Sequence, residues 1–411
     1  MTKRGAEWHV LTLVTLGLTA FGIVMVYSAT SASAAIGGAN PMSYLERQGT
    51  FAVLGLVGMV VATRFDYRRL RPFAPVLVLA ALSLCLVVLV VAQPVNGARR
   101  WIGFGPASFQ PSELAKLALA IWVAAHLTRR KAPQSVRELW RPIGLLVGLF
   151  SALILVEPDL GTTITICAMV AAVLLVAGTP LRTLSSGLAI AAMLGLLAVW
   201  IEPYRRARVF SFLDPWRDAQ GAGFQIVQAQ IGLGSGGLFG DGLGQGVQKI
   251  HYLPEAHTDM IFAVIGEELG LLGATALIAA YAAFAWAGLK VALECKDPFG
   301  KRLAAGLTAL VCGQAAINLA AVLGLAPLTG IPLPFVSYGG SSLVVELVAV
   351  GVLLNIAGGG RATAAAKRSD RGRGNGRPRA AGAGGGGRAA RAGSARDVRR
   401  VAGARRSAAR S

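Results

Sequence analysis

Residues 252 to 270 read Y-L-P-E-A-H-T-D-M-I-F-A-V-I-G-E-E-L-G. The first eight are largely polar and a long apolar run follows, so Asp259 falls where an aqueous loop enters a membrane helix. Glu267 and Glu268 come eight and nine residues later, about 12 Å deeper for a helix that begins at Asp259. Carboxylates at that depth are costly to bury, which marks them for function.

The rest of the chain supplies the membrane setting. Of 411 residues, 54% are apolar and 15% charged, with a mean hydropathy of +0.59, a balance foreign to a soluble domain. Ten apolar runs are each long enough to cross a bilayer core of roughly 30 Å: 9–29, 47–63, 73–92, 112–128, 142–157, 159–178, 184–202, 259–289, 303–325 and 339–358. The first exceeds the apolar core of a signal peptide and reads as an uncleaved helix. The architecture predicted is an all-α, ten-span membrane domain over residues 1–360. Cys85, Cys167, Cys295 and Cys312 show no paired spacing, so neither a disulfide framework nor a zinc site is indicated.

Lys and Arg collect in the loops after the second, fourth, sixth and eighth spans, which makes those loops and both termini cytoplasmic. Segments 93–111, 203–258 and 326–338 then lie outside. Arg99, Arg100, Arg205, Arg206 and Arg208 break the charge rule there, and cations kept on that side imply an anion to hold. The plainer reading is lipid headgroups or local carboxylates. From Arg361 to Ser411 the chain carries 15 Lys or Arg against Asp370 and Asp397 in an Ala, Gly and Ser background. That composition predicts a disordered cytoplasmic tail drawn to anionic lipid. Nucleic acid is not expected, since no stacking platform or readout module accompanies the charge.

In Q-P-S-E-L-A-K (110–116), Pro111 suits a helix first turn, and Glu113 and Lys116 share a face. They point inward together as an anion-handling pair or as a structural ion pair. In E-P-D-L-G-T (157–162), proline forces a break and Asp159 or Thr162 caps the next helix; two carboxylates there could bind a cation, although a tight hairpin accounts for them. The 203–258 loop is too long for a simple connection. Its glycines from Gly232 to Gly246 permit close approach of backbone or ligand, but no G-K-[ST] follows, so it is not a phosphate loop. His251, Glu255, His257 and Asp259 lack the spacing of a permanent zinc site, whereas a transient divalent ion such as Mg or Mn between a carboxylate and a pyrophosphate stays open. Three prolines and Gly339-Gly340 in residues 327–343 imply non-helical backbone walling a cavity, with Ser337, Tyr338, Ser341 and Ser342 as hydrogen-bonding groups.

These stretches, with N-G-A-R-R-W-I (96–102), F-L-D-P-W (212–216) and P-F-V-S-Y-G-G-S-S (334–342), resemble the SEDS family (shape, elongation, division and sporulation) from about residue 9 to 358. The resemblance implies an inverting peptidoglycan glycosyltransferase that polymerises lipid II, the undecaprenyl-linked disaccharide-pentapeptide, on the outer face of the bacterial plasma membrane. It implies as partners a class B penicillin-binding protein, the transpeptidase, and other divisome proteins. The motifs look more similar to the division members, placed at the septum, than to the elongation members. Asp259 matches the family's essential aspartate and is the expected base. Arg100, Lys116 and Arg205 or Arg206 are the expected anion-holding cations, and Glu113 and Glu267 position them or the helix. Trp101, Phe104 and Phe109 pack on a sugar, a prenyl chain or the membrane interface; His257, Ser337 and Ser341 complete the expected site. A lipid II flippase and a scaffold that only activates a synthase are the rival readings. Polar groups concentrated on the outer half favour the polymerase.

Overall fold

A computed structural model describes residues 5–36, 40–94, 97–104, 107–250 and 252–359. The expected basic tail, Asn96, His251 and the side chain of Phe104 lie outside the described residues.

The chain forms α1 (Ala6–Ile36), α2 (Met42–Arg64), α3 (Leu70–Val91), α4 (Pro111–Arg129), the short α5 (Val136–Leu139), α6 (Leu145–Val156), α7 (Leu160–Ala177), α8 (Leu181–Ile201), α9 (Pro203–Leu213), α10 (Phe224–Ser235), α11 (Ile261–Glu294), α12 (Pro298–Val322) and α13 (Gly340–Ala357). Local chemistry sets the ends. Asp159 caps α7 by accepting from Thr162 N at 2.9 Å, and left-handed Gly178 closes it. Asp297 caps α12 from Gly300 N at 3.0 Å, with Pro298 in the first turn.

Among the described residues nine helical stretches are long and apolar enough to cross a membrane, one fewer than the ten expected. The missing one is α4. It is 19 residues long, but Glu113 and Lys116 lower its hydropathy, and α3, α7 and α12 surround it so that most of its residues are buried. A helix enclosed by protein need not be apolar enough for lipid. The all-α expectation holds for the membrane domain, to which β1 (Ile102–Phe104) and β2 (Ala107–Phe109) add one short antiparallel ribbon, with Ile102 opposite Phe109. Inside the expected long loop, α9 and α10 are helical, so the segment is folded chain.

Two features shape the half of the domain that holds Asp259. α11 is broken at Gly270, whose φ of +65° and ψ of −164° are open to glycine alone. Residues 236–248 fill the break. Asp241 N and Gly242 N donate to Glu267 O and Glu268 O at 3.0 Å each, while Leu271 N and Leu272 N donate to Gly237 O and Leu238 O at 2.9 and 3.2 Å. A buried amide or carbonyl left unpaired costs on the order of 1–3 kcal/mol, so this substitution of partners makes the break tolerable at membrane depth. It also explains the glycines. A Cβ on Gly236 would lie 2.0 Å from Gly266 O, and one on Gly240 2.2 Å from Glu268 O. Secondly, α12 turns Gln314 and Asn318 toward the non-helical segment 326–339. Gln314 Nε2 donates to Pro332 O at 3.1 Å and Asn318 Nδ2 to Ile331 O at 2.8 Å.

Candidate active site

Asp259 sits two residues before the first turn of α11 and is 8% exposed. Asn318 Nδ2 donates to its backbone carbonyl at 2.7 Å, tying it to the segment at Ile331. Thr258 Oγ1 lies 3.3 Å from Asp259 Oδ1 and 3.0 Å from Glu255 Oε2, so two carboxylates share one hydroxyl. Burial raises the Asp259 carboxyl to about 6, with Glu255 acting in the same direction and the Arg208 guanidinium opposing. Burial outweighs the nearby cation. At neutral pH the group is ionised and ready to accept a proton.

Arg208, from α9, faces this carboxylate across Gly330. A Cβ on Gly330 would lie 3.8 Å from Arg208 Nη1 and 3.9 Å from Asp259 Oδ2, yet the two are not among the ion pairs of the described residues. Gly330 has φ +74°, and its missing side chain leaves a gap bounded by a carboxylate and a cation. Arg208 Nη1 is steadied by Leu328 O at 3.2 Å and its guanidinium stacks on Tyr204, 4.8 Å from the ring centre. The expected Arg205 and Arg206 are engaged elsewhere: Arg205 donates to Ala198 O at 3.1 Å and Leu155 O at 2.5 Å, capping the ends of α8 and α6, and Arg206 covers Trp200.

Arg100 likewise closes a helix end. Its Nε donates to Glu157 O at 2.7 Å and its Nη2 to Pro158 O. The Glu157 side chain is fully buried, and among the described residues neither carboxylate oxygen has a hydrogen-bond partner. Burial, then Asp159, push its carboxyl up to about 8 against the pull of Arg100, so it is protonated at neutral pH. Trp101 is half-buried at the entry to β1.

Glu113 and Lys116 meet at 2.9 Å, with side chains only 3% and 1% exposed. Lys116 Nζ donates to Gln314 Oε1 at 2.7 Å; Gln314 Nε2 reaches Glu346 Oε1 at 2.9 Å; Glu346 also accepts from Ser342 Oγ at 3.0 Å and Phe335 N at 3.2 Å. The pair is thus one end of a buried network that supports the segment beneath Gly330. Ser337 belongs to the same support, its Oγ accepting from Leu333 N at 2.8 Å. Ser341 Oγ accepts from Gln110 N at 3.2 Å and pins β2 to α13. Glu267 accepts from Val247 N at 2.7 Å and Gln248 N at 3.1 Å, anchoring the glycine loop. His257 packs between Tyr44 and Tyr338, with ring centres 5.0 and 5.5 Å away, and its burial lowers the imidazole so that it is neutral at pH 7.

Of the expected residues, the structure therefore brings Asp259, with His257 close by in the chain, to the gap over Gly330, and spreads the others through its supports. Arg208 was noted among the arginines that break the charge rule but not among the expected site residues, and Gln314, Asn318 and Glu346 were not selected from sequence. A Glu346 deep in an apolar run is the kind of signal that could have found it. Among the described residues no three His, Cys, Asp or Glu side chains group to hold a metal. Glu255 and Asp259 remain two carboxylates of the sort that hold Mg or Mn jointly with substrate phosphates.

The cell cycle protein family of FtsW, RodA and SpoVE matches residues 8–361. A relative named "Probable peptidoglycan glycosyltransferase FtsW", from Geobacter metallireducens, is 41% identical over 350 residues, 84% of this chain and 93% of its own length. The stage V sporulation protein E of Bacillus subtilis is 39% identical over 361 residues, 86% of this chain and 98% of its own. Among solved structures, a chain of a peptidoglycan synthase complex superposes with a TM-score of 0.70 at 32% identity, covering 85% of this chain and 97% of that one. The Thermus thermophilus rod shape determining protein RodA gives 0.63 at 29%, covering 84% and 95%. The resemblance read from the motifs therefore holds along nearly the whole membrane domain, and the chain belongs to the FtsW/RodA/SpoVE family of cell cycle proteins.

Proposed function

We propose that this protein is a peptidoglycan glycosyltransferase that polymerises lipid II on the outer face of the plasma membrane during septal wall synthesis. The observation that carries the reading is the gap over Gly330, with a buried, ionised carboxylate on one side and a guanidinium that does not neutralise it on the other. Family membership and relatives named as peptidoglycan glycosyltransferases supply the reaction class.

The attacking sugar hydroxyl gives its proton to Asp259 as its oxygen bonds to the anomeric carbon of the donor. The bond from that carbon to the pyrophosphate oxygen breaks, and the prenyl pyrophosphate leaves with the electron pair. Single displacement inverts the carbon. A pyrophosphate needs no proton to depart when its charge is held, and Arg208 is the cation placed for that role. Arg100, Arg205 and Arg206 instead order the outer helix ends, and Glu113 with Lys116 supports the floor. A divalent ion, when bound, would be held by Glu255 and Asp259 and would add charge opposite the pyrophosphate. A class B penicillin-binding protein completes the synthase as its cross-linking partner, with both termini of this chain cytoplasmic.

Lipid II given to the purified protein with its transpeptidase yields glycan strands, and Asp259→Asn yields none while the complex stays intact. Undiminished polymer from that variant removes Asp259 from the reaction.

A further inference from the structure

α11 is two helices end to end, and Asp259 stands at the outer end of the outer one. Gly270 interrupts the helix with non-helical backbone, so the direction of the outer piece, Ile261–Leu269, depends on what grips its sides. Glu268 provides much of that grip. It accepts from Gly244 N at 3.1 Å, Lys249 Nζ at 2.5 Å and Ser28 Oγ at 2.7 Å, and Lys249 Nζ also donates to Ser28 Oγ at 3.1 Å. The Lys249 and Glu268 side chains are 1% and 0% exposed. Three separate parts of the chain, α1, the glycine loop and the outer piece of α11, therefore close on one carboxylate that the glycosyl transfer does not use.

We propose that Glu268, with Lys249 and Ser28, is a latch that positions Asp259 opposite Arg208 by holding the outer piece of α11 in place. The inference rests on Asp259 being the base. The glycine loop stays docked through the reaction and does not swing away to admit substrate.

The test uses the full chain with its transpeptidase and lipid II. Glu268→Gln lowers kcat at least tenfold and leaves KM within twofold, since no substrate contact is lost. Leu238 and Leu272 are exposed and flank the bond from Leu272 N to Leu238 O, which puts their main chains within disulfide range. Leu238→Cys with Leu272→Cys in the otherwise wild-type protein polymerises equally well oxidised or reduced, since the glycine loop stays docked. Should Glu268→Gln not fold, Ser28→Ala, which keeps the ion pair, falls about threefold in kcat at unchanged KM.

Full activity of Glu268→Gln or Ser28→Ala, or inhibition of the cysteine-pair protein by oxidation, each overturns the proposal. Asp259→Asn is run alongside. Polymer from Asp259→Asn defeats the base assignment, whereas an inactive Asp259→Asn beside an unaffected Glu268→Gln defeats the latch alone.

Discussion

In the proposed reaction Asp259 and Arg208 divide the work at the residue scale because neither satisfies the other. A closed ion pair would hold the carboxylate far down and occupy the cation; the Gly330 gap avoids both. The rate of polymerisation should rise with pH through a half-point near 6, following ionisation of Asp259. Arg208→Gln removes the charge that opposes burial, so this acid limb moves to higher pH, and kcat falls about 10²- to 10³-fold with loss of the anion-holding donor. A pH–rate profile on lipid II reads both effects. Glu157 gives a stability counterpart. Its carboxyl is raised from 4.5 to about 8 on folding, so the unfolded chain gives up that proton first and stability falls as pH rises from about 4.5 to 8. Glu157→Gln flattens this decline, measured as the thermal midpoint in detergent across that window. Arg208 was hard to single out beforehand: three arginines within four positions look alike in a sequence, and only the turn of α9 and the neighbours of each decide which one meets the carboxylate.

At the scale of elements, the glycine loop and the break in α11 depend on each other. Gly236→Ala puts a methyl carbon 2.0 Å from Gly266 O. Main chain cannot yield as a flexible side chain does, so the loop is displaced, at a cost of about 1–3 kcal/mol or more. Proteolysis of residues 236–248 in the purified protein should accelerate accordingly. The density of glycines was legible in the sequence and their purpose half so: close approach was foreseen, but not that the partner is the broken helix. Gly270 sits inside an apolar run, and its φ depends on a loop some thirty residues upstream. The β1–β2 ribbon was illegible because three-residue strands are too short to show a period. Glu267 and Glu268 were read as carboxylates with a task at depth; Glu267 accepts from backbone of the glycine loop and Glu268 also from Lys249 and the distant Ser28, partners that spacing cannot reveal.

For the whole molecule, hydropathy was enough to locate the long helices of the described residues, since a bilayer admits few alternatives to an apolar helix, and the positions of Lys and Arg supplied the expected sides. The same pattern makes a directional prediction. In intact spheroplasts an impermeant thiol reagent should label Arg217→Cys, exposed between α9 and α10, and leave Arg130→Cys, exposed after α4, unlabelled until the membrane is opened. The reverse result would invert the assignment of sides.

α4 shows what this architecture asks of its own assembly. Its carboxylate and ammonium lie one turn apart, whereas Gln314 and Glu346, which later join them, are some two hundred residues further along and leave the ribosome long afterwards. Carrying its counter-ion within itself, the segment can enter the bilayer electrically neutral and wait there for the partners that will enclose it.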